Sequence, residues 1–191
     1  MSLMSFLPFI LYALVLVSLC ILAFFMYLYF IVEKYPEYQS ENDHHAIIVA
    51  SYPKQELIHY PSGVDLLIRH FLKNKEPYKI YRCFNPPRFK EVIEDGKAKN
   101  LWIFGHGSRG SIQFGKKDKL CYSEFEGLNL PKVWIAQFHC CHKMEKSLAD
   151  YLHPQESFIS TSYRRGIQNR KDIKDILREG ENIKHLDFGD K

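Results

Sequence analysis

Polar and apolar positions divide the chain sharply. From Met1 to Val32 there is no Asp, Glu, Lys, Arg or His, and Phe6–Val32 (FLPFILYALVLVSLCILAFFMYLYFIV) is a nearly unbroken apolar run of 27 residues. As a helix it spans about 40 Å at about 1.5 Å per residue, enough to cross a bilayer core of about 30 Å with some tilt. Tyr27, Tyr29 and Tyr35 fall toward its C-terminal end, where amphipathic rings favour the membrane interface. A cleaved signal peptide has a basic leading region and a shorter apolar stretch, and this segment has neither. A lipoprotein signal needs a small residue before its cysteine, but Leu19 precedes Cys20. The pattern predicts one transmembrane anchor over residues 1–34, with residues 6–32 in the lipid.

Residues 35–45 (YPEYQSENDHH) read as a polar tether. Beyond them the pattern alternates between strand and helix. Ala46–Ser51 (AIIVAS) is a short continuous apolar run of the kind found in buried parallel strands. Ser62 is placed to cap a helix whose apolar face is Val64, Leu67, Ile68, Phe71 and Leu72. Tyr78–Phe84 predicts a second strand, and Pro86-Pro87 opens a helix ending near Gly96. Asn100–Gly105 (NLWIFG) predicts a third strand. Ser111–Phe114 and Lys119–Tyr122, on either side of residues 115–118, predict a hairpin. Lys132–Phe138 (KVWIAQF) predicts a fourth strand, Lys143–Leu152 a helix, Ser157–Ser162 a fifth strand and Asp172–Arg178 a terminal helix. Such βαβ alternation predicts a single α/β domain over residues 46–191, with a mostly parallel sheet and helices on both faces.

Composition and charge narrow the classes. Of 191 residues 46% are hydrophobic and 25% charged, the balance of a folded protein. The net charge is +4, and residues 41–191 carry +5, too little to argue for nucleic acid. The polar part has four cysteines, Cys83, Cys121, Cys140 and Cys141, two of them adjacent, and no disulfide framework follows from that spacing. There is no Asn-x-Ser/Thr sequon, so the polar part is expected on the cytoplasmic side.

In parallel α/β sheets functional groups gather at the carboxyl ends of the strands. Two segments lie there. The first is Gly105-His106-Gly107-Ser108-Arg109-Gly110-Ser111. Its G-x-G-x-x-G spacing matches a dinucleotide loop, but a hairpin pattern follows where that mechanism needs a helix N-terminus. Neither a Walker loop nor a nucleophile elbow fits, because Gly110 is followed by Ser111-Ile112 and position 106 is not glycine. What remains is a histidine pinned between two glycines at a strand end, either a site residue or a turn histidine. The second segment is His139-Cys140-Cys141-His142. A thiol opening a helix has a lowered pKa, and an imidazole beside it completes a nucleophilic pair. Zinc is a competing reading, although four consecutive ligand-type residues fit one tetrahedron poorly. A buried core cysteine is the plainest.

The two blocks, LWIFGHGSRGSIQF and KVWIAQFHCCHK, resemble the caspase-like cysteine peptidase superfamily (caspases, metacaspases, CHAT domains and clostripain- and legumain-type enzymes) over roughly residues 46–165. That resemblance implies a three-layer αβα sandwich and a cysteine-type endopeptidase without cofactor or metal, acting on a peptide or protein substrate. It implies His106 as the catalytic histidine, the Gly107 N–H as oxyanion donor and Cys141 as nucleophile, with Cys140 as the alternative. Ser162-Tyr163-Arg164 is similar to a segment lining the substrate cleft, which implies Arg164 as a ligand for an acidic group. The chain departs from the pattern at three places. His139 stands where metacaspase-like enzymes carry an acidic residue, Lys143-Met144 replaces Ser-Gly, and no Gln-Ala-Cys run is present. These departures define a second reading, an inactive binding or signalling module at the membrane; the glycine loop defines a third, a nucleotide sensor.

Overall fold

The computed structural model describes residues 7–34, 42–51, 60–115, 118–139, 145–160 and 165–180. The chain forms two compact units, Met1–Pro36 and Glu37–Lys191. In the first, helix α1 runs unbroken over Leu7–Lys34. Its Pro8–Tyr27 segment has 20 residues, a mean hydropathy of 2.8 and no buried side chains. Pro8 lies in the first turn, where the missing N–H breaks no intrahelical bond. Apolar on every side, α1 is long and apolar enough to cross a bilayer.

The second unit is built on a seven-stranded sheet. Its strands are β1 (His44–Ala50), β2 (Tyr78–Cys83), β3 (Ala98–Ser108), β4 (Ser111–Gln113), β5 (Lys119–Cys121), β6 (Trp134–Phe138) and β7 (Glu156–Ile159). Five of them pair in parallel in the order β2-β1-β3-β6-β7. Strands β4 and β5 add antiparallel to the far end of β3. Numbered in chain order, the five parallel strands run 2-1-3-4-5. This is a doubly wound order, which leaves a crevice outside the carboxyl ends where the winding reverses.

Helices α2 (Asp65–Asn74), α3 (Pro86–Glu94), α4 (Leu148–Leu152) and α5 (Arg165–Gly180) cover the sheet. Alternation along the strands sorts the core into two faces. On one, Ala46, Ile48, Leu101, Ile103 and Ile135 pack with Phe89, Val92 and Ile93 of α3 and with Leu148 and Leu152 of α4. On the other, the Phe71 ring of α2 stacks on His45 at 4.2 Å and meets Tyr78 and Trp102. An aromatic row of Trp102, Phe138, Phe104 and Phe158 continues that face across β3, β6 and β7. Helix α5 joins α2 through the Arg170–Asp65 ion pair. Each fully buried aliphatic or Phe side chain contributes roughly 1.5–3 kcal/mol, so these two faces hold the unit together.

Several boundaries differ from the expected ones. Strand β1 begins at His44, so the last two residues expected in the polar tether are buried strand residues. His45 is tolerated there because Trp102 Nε1–H donates to its Nδ1 (3.2 Å) and Glu76 Oε2 lies 3.2 Å from its Nε2. Burial holds the His45 pKa below the ordinary value despite the carboxylate. Ser62 lies in a π-type turn (Tyr60–Val64), α2 begins at Asp65 with Val64 at its N-cap position, and Leu72 is exposed. Strand β3 does not stop at Gly105 but continues through His106 and Gly107 to Ser108, because β4 supplies a partner there. Helix α4 is limited to Leu148–Leu152, entered through a Ser147/Asp150 capping box. Helix α5 begins at Arg165, seven residues before the expected start at Asp172, and buries Asn169 and Ile173.

Candidate active site

His106 is held in the extension of β3, opposite Gln113 of β4, and is half-buried. The flanking glycines serve close strand contacts. A Cβ on Gly105 would lie 2.6 Å from the Ala50 carbonyl oxygen. Gly107 has φ of 157°, and a Cβ on it would collide with the Ser111 carbonyl oxygen. Both glycines therefore let neighbouring backbones approach on either side of the histidine.

Strand β6 is the parallel neighbour of β3, with Phe104 opposite Phe138. Adjacent strands lie about 4.8 Å apart, so the ends of β3 and β6 are neighbours. His106 follows Phe104 by two residues, and His139 follows Phe138 by one. Cys140, Cys141 and Arg164 lie outside the described residues. Thus the fold brings the ends of β3 and β6, and with them His106 and His139, to one edge of the sheet. Residues 145–147 are not helical and α4 begins at Leu148, so the cysteine pair does not stand at the N-terminus of α4 as expected, and that helix does not activate the thiol.

The other cysteines of this unit are poor rivals. Cys83 ends β2 but is fully buried, and burial pushes its thiol up to about 12. Cys121 is exposed on β5, in the hairpin beyond β3.

Sequence reading missed the polar framework around the cysteine segment. Gln137, fully buried in β6, accepts the Leu148 N–H on its Oε1 (2.9 Å). Its amide nitrogen lies 3.1 Å from His139 Nε2, and the Tyr122 hydroxyl lies 2.8 Å from the same atom. At the other end of the segment, Glu145 Oε2 accepts the Gly110 N–H (2.9 Å) from the turn that follows His106. Asp150 also faces Arg109 of that turn, Nη2 to Oδ2 3.4 Å. Burial pushes the Asp150 carboxyl up, but the Ser147 hydrogen bonds and Arg109 together outweigh it and hold the carboxyl below its ordinary value. The hint was Gln137, a polar residue inside an otherwise apolar strand.

No protein-family model, curated protein or solved structure matches this chain. The site therefore rests on its own geometry. The glycine loop is followed by strand β4, so it has no helix N-terminus to receive a pyrophosphate. Among the described residues no group of three or more His, Cys, Asp or Glu is placed to hold a metal ion.

Proposed function

We propose that this chain is a membrane-anchored cysteine endopeptidase of caspase-like fold with a His106/Cys141 dyad, Cys140 being the alternative nucleophile. The observation that carries the reading is the parallel pairing of β3 with β6. It makes the strand bearing His106 the neighbour of the strand that leads into the cysteine pair. The doubly wound sheet and the helices on both its faces are consistent with the caspase-like sandwich.

In this reading the Cys141 thiolate attacks a peptide carbonyl carbon, and the Gly107 N–H donates to the oxyanion. Collapse breaks the C–N bond, and His106 gives its proton to the departing amine. The thioester left on sulfur is hydrolysed by a water that His106 deprotonates, which restores the thiol and the imidazole. Arg164 pairs with an acidic group of the substrate, and no cofactor takes part. Helix α1 holds the enzyme in the bilayer through residues 6–32, with the second unit in the cytoplasm facing peptide or protein substrates and not nucleic acid.

His106→Ala tests the dyad. Loss of the acid–base group is expected to lower peptide hydrolysis by about 10²–10⁴-fold, read by mass spectrometry of a mixed peptide library. Unchanged turnover would exclude His106. A wild-type chain that cleaves nothing would favour the inactive binding module.

A further inference from the structure

The geometry points to Gln137 as a positioning residue that fixes His139 as a neutral imidazole protonated on Nδ1, so that His139 orients the cysteine segment without exchanging protons with it. This inference rests on the peptidase reading and deepens it, because it separates the roles of two histidines that both adjoin the cysteine pair.

The Leu148 backbone N–H can only donate, so the Gln137 amide must present its oxygen to α4. Its NH2 group then faces His139 Nε2 at 3.1 Å. An amide nitrogen also only donates, so Nε2 must accept, and the ring proton resides on Nδ1. The Tyr122 hydroxyl, 2.8 Å away, becomes a second donor to Nε2. Protonating Nε2 would turn its N–H toward the Tyr122 oxygen but set it against the Gln137 NH2, inside a site where Gln137 and Tyr122 are fully buried and His139 is 2% exposed. The buried amide N–H would then lose its acceptor, which is costly, so the cation is disfavoured.

The faces of the sheet agree. Gln137 and His139 are two residues apart and share a face, the one that meets Tyr122 and α4. Alternation puts His106 on the opposite face, with Phe104. The same Gln137 amide binds the first residue of α4 while holding His139. It therefore contacts His139 before the two cysteines in sequence and Leu148 after them.

Proton positions on the ring of His139 test this directly. In the full ¹⁵N-labelled chain in detergent micelles, long-range ¹H–¹⁵N correlation is assigned by the signals lost in His139→Gln. Expected is a proton on Nδ1 and none on Nε2 throughout about pH 5.5 to 8, the range in which free histidine titrates. Gln137→Glu keeps the acceptor for Leu148 but turns an oxygen toward His139, and is expected to bring a proton onto Nε2. Should that variant not fold, Tyr122→Phe leaves the amide donor alone and is expected to keep the Nδ1 tautomer. A wild-type His139 that titrates in this range or carries its proton on Nε2 would overturn the inference, as would a folded Gln137→Glu without change.

Thiol alkylation of the same samples reads the other half. His139→Gln is expected to lower the rate while leaving its pH midpoint in place, whereas His106→Ala moves the midpoint. A midpoint moved by His139→Gln would make His139 an acid–base group and overturn the positioning role. A cysteine pair that is unreactive in the wild type would instead defeat the peptidase reading, and the ring protons would still decide the tautomer.

Discussion

Replacing Cys141 with alanine is expected to abolish peptide hydrolysis. The reaction proceeds through a bond to sulfur, and alanine supplies no nucleophile. Removing a nucleophile that acts together with its base costs about as much as removing the pair, here about 10⁴-fold or more. Cys140→Ala is the internal control and is expected to retain hydrolysis. Cys83 cannot substitute, because its thiol titrates at about 12 and it is fully buried. The measurement is cleavage of a peptide library by each single variant of the full chain. Loss in Cys140→Ala instead of Cys141→Ala would move the nucleophile by one residue and keep the dyad. Activity in both would contradict it.

Gly107→Ala is expected to be the most damaging single substitution in the strand that carries His106. A methyl group there meets the Ser111 carbonyl oxygen and the Ile112 Cα at 3.0 Å, both backbone atoms of β4. No side chain can swing aside, and φ of 157° is itself unfavourable to an L side chain. The strand must separate from β4 or distort, at a cost of about 3 kcal/mol or more. The β4–β5 hairpin carries Ile112 and Leu120 into the core, so the loss spreads beyond the turn. Gly96→Ala is the contrast: nothing lies within 4 Å of its added methyl group, and an effect within about 0.5 kcal/mol is expected. Urea unfolding of the two variants reads the difference. Equal midpoints would show that β3 and β4 do not pack as described.

The strands were legible wherever the core dictates a continuous apolar run: AIIVA, NLWIF and WIAQF lie in β1, β3 and β6. Their parallel pairing followed from the alternation with helices. Boundaries failed where a partner distant in sequence decides them. His44 and His45 look like tether residues until Tyr81, Trp102 and Glu76 provide their polar contacts. His106 looks like the end of a strand until β4 folds back on it. The length of α5 was hidden because its first half is polar and meets the unit through the Arg170–Asp65 ion pair and the buried Asn169.

The site divides in the same way. That the strand bearing His106 neighbours the strand preceding the cysteine segment was readable, since it needs only two consecutive parallel strands. The Gln137–His139–Tyr122 cluster was not, because Tyr122 arrives from the 3₁₀ turn (Tyr122–Phe125) after the hairpin. Nor was the Gly110–Glu145 bond that joins the histidine turn to the far end of the cysteine segment. Both depend on how the connections fold over the sheet.

The dyad itself is tested most directly by alkylating the full chain in micelles with iodoacetamide between about pH 5 and 9 and locating each adduct by mass spectrometry. The account predicts that Cys141 reacts first, with an apparent pKa well below the free value of about 8.5, and that His106→Ala returns it to that value. Cys83 should stay unlabelled until the chain unfolds. Uniformly slow labelling of the Cys140–Cys141 pair, or a faster reaction at Cys121 with no response to His106→Ala, would contradict it.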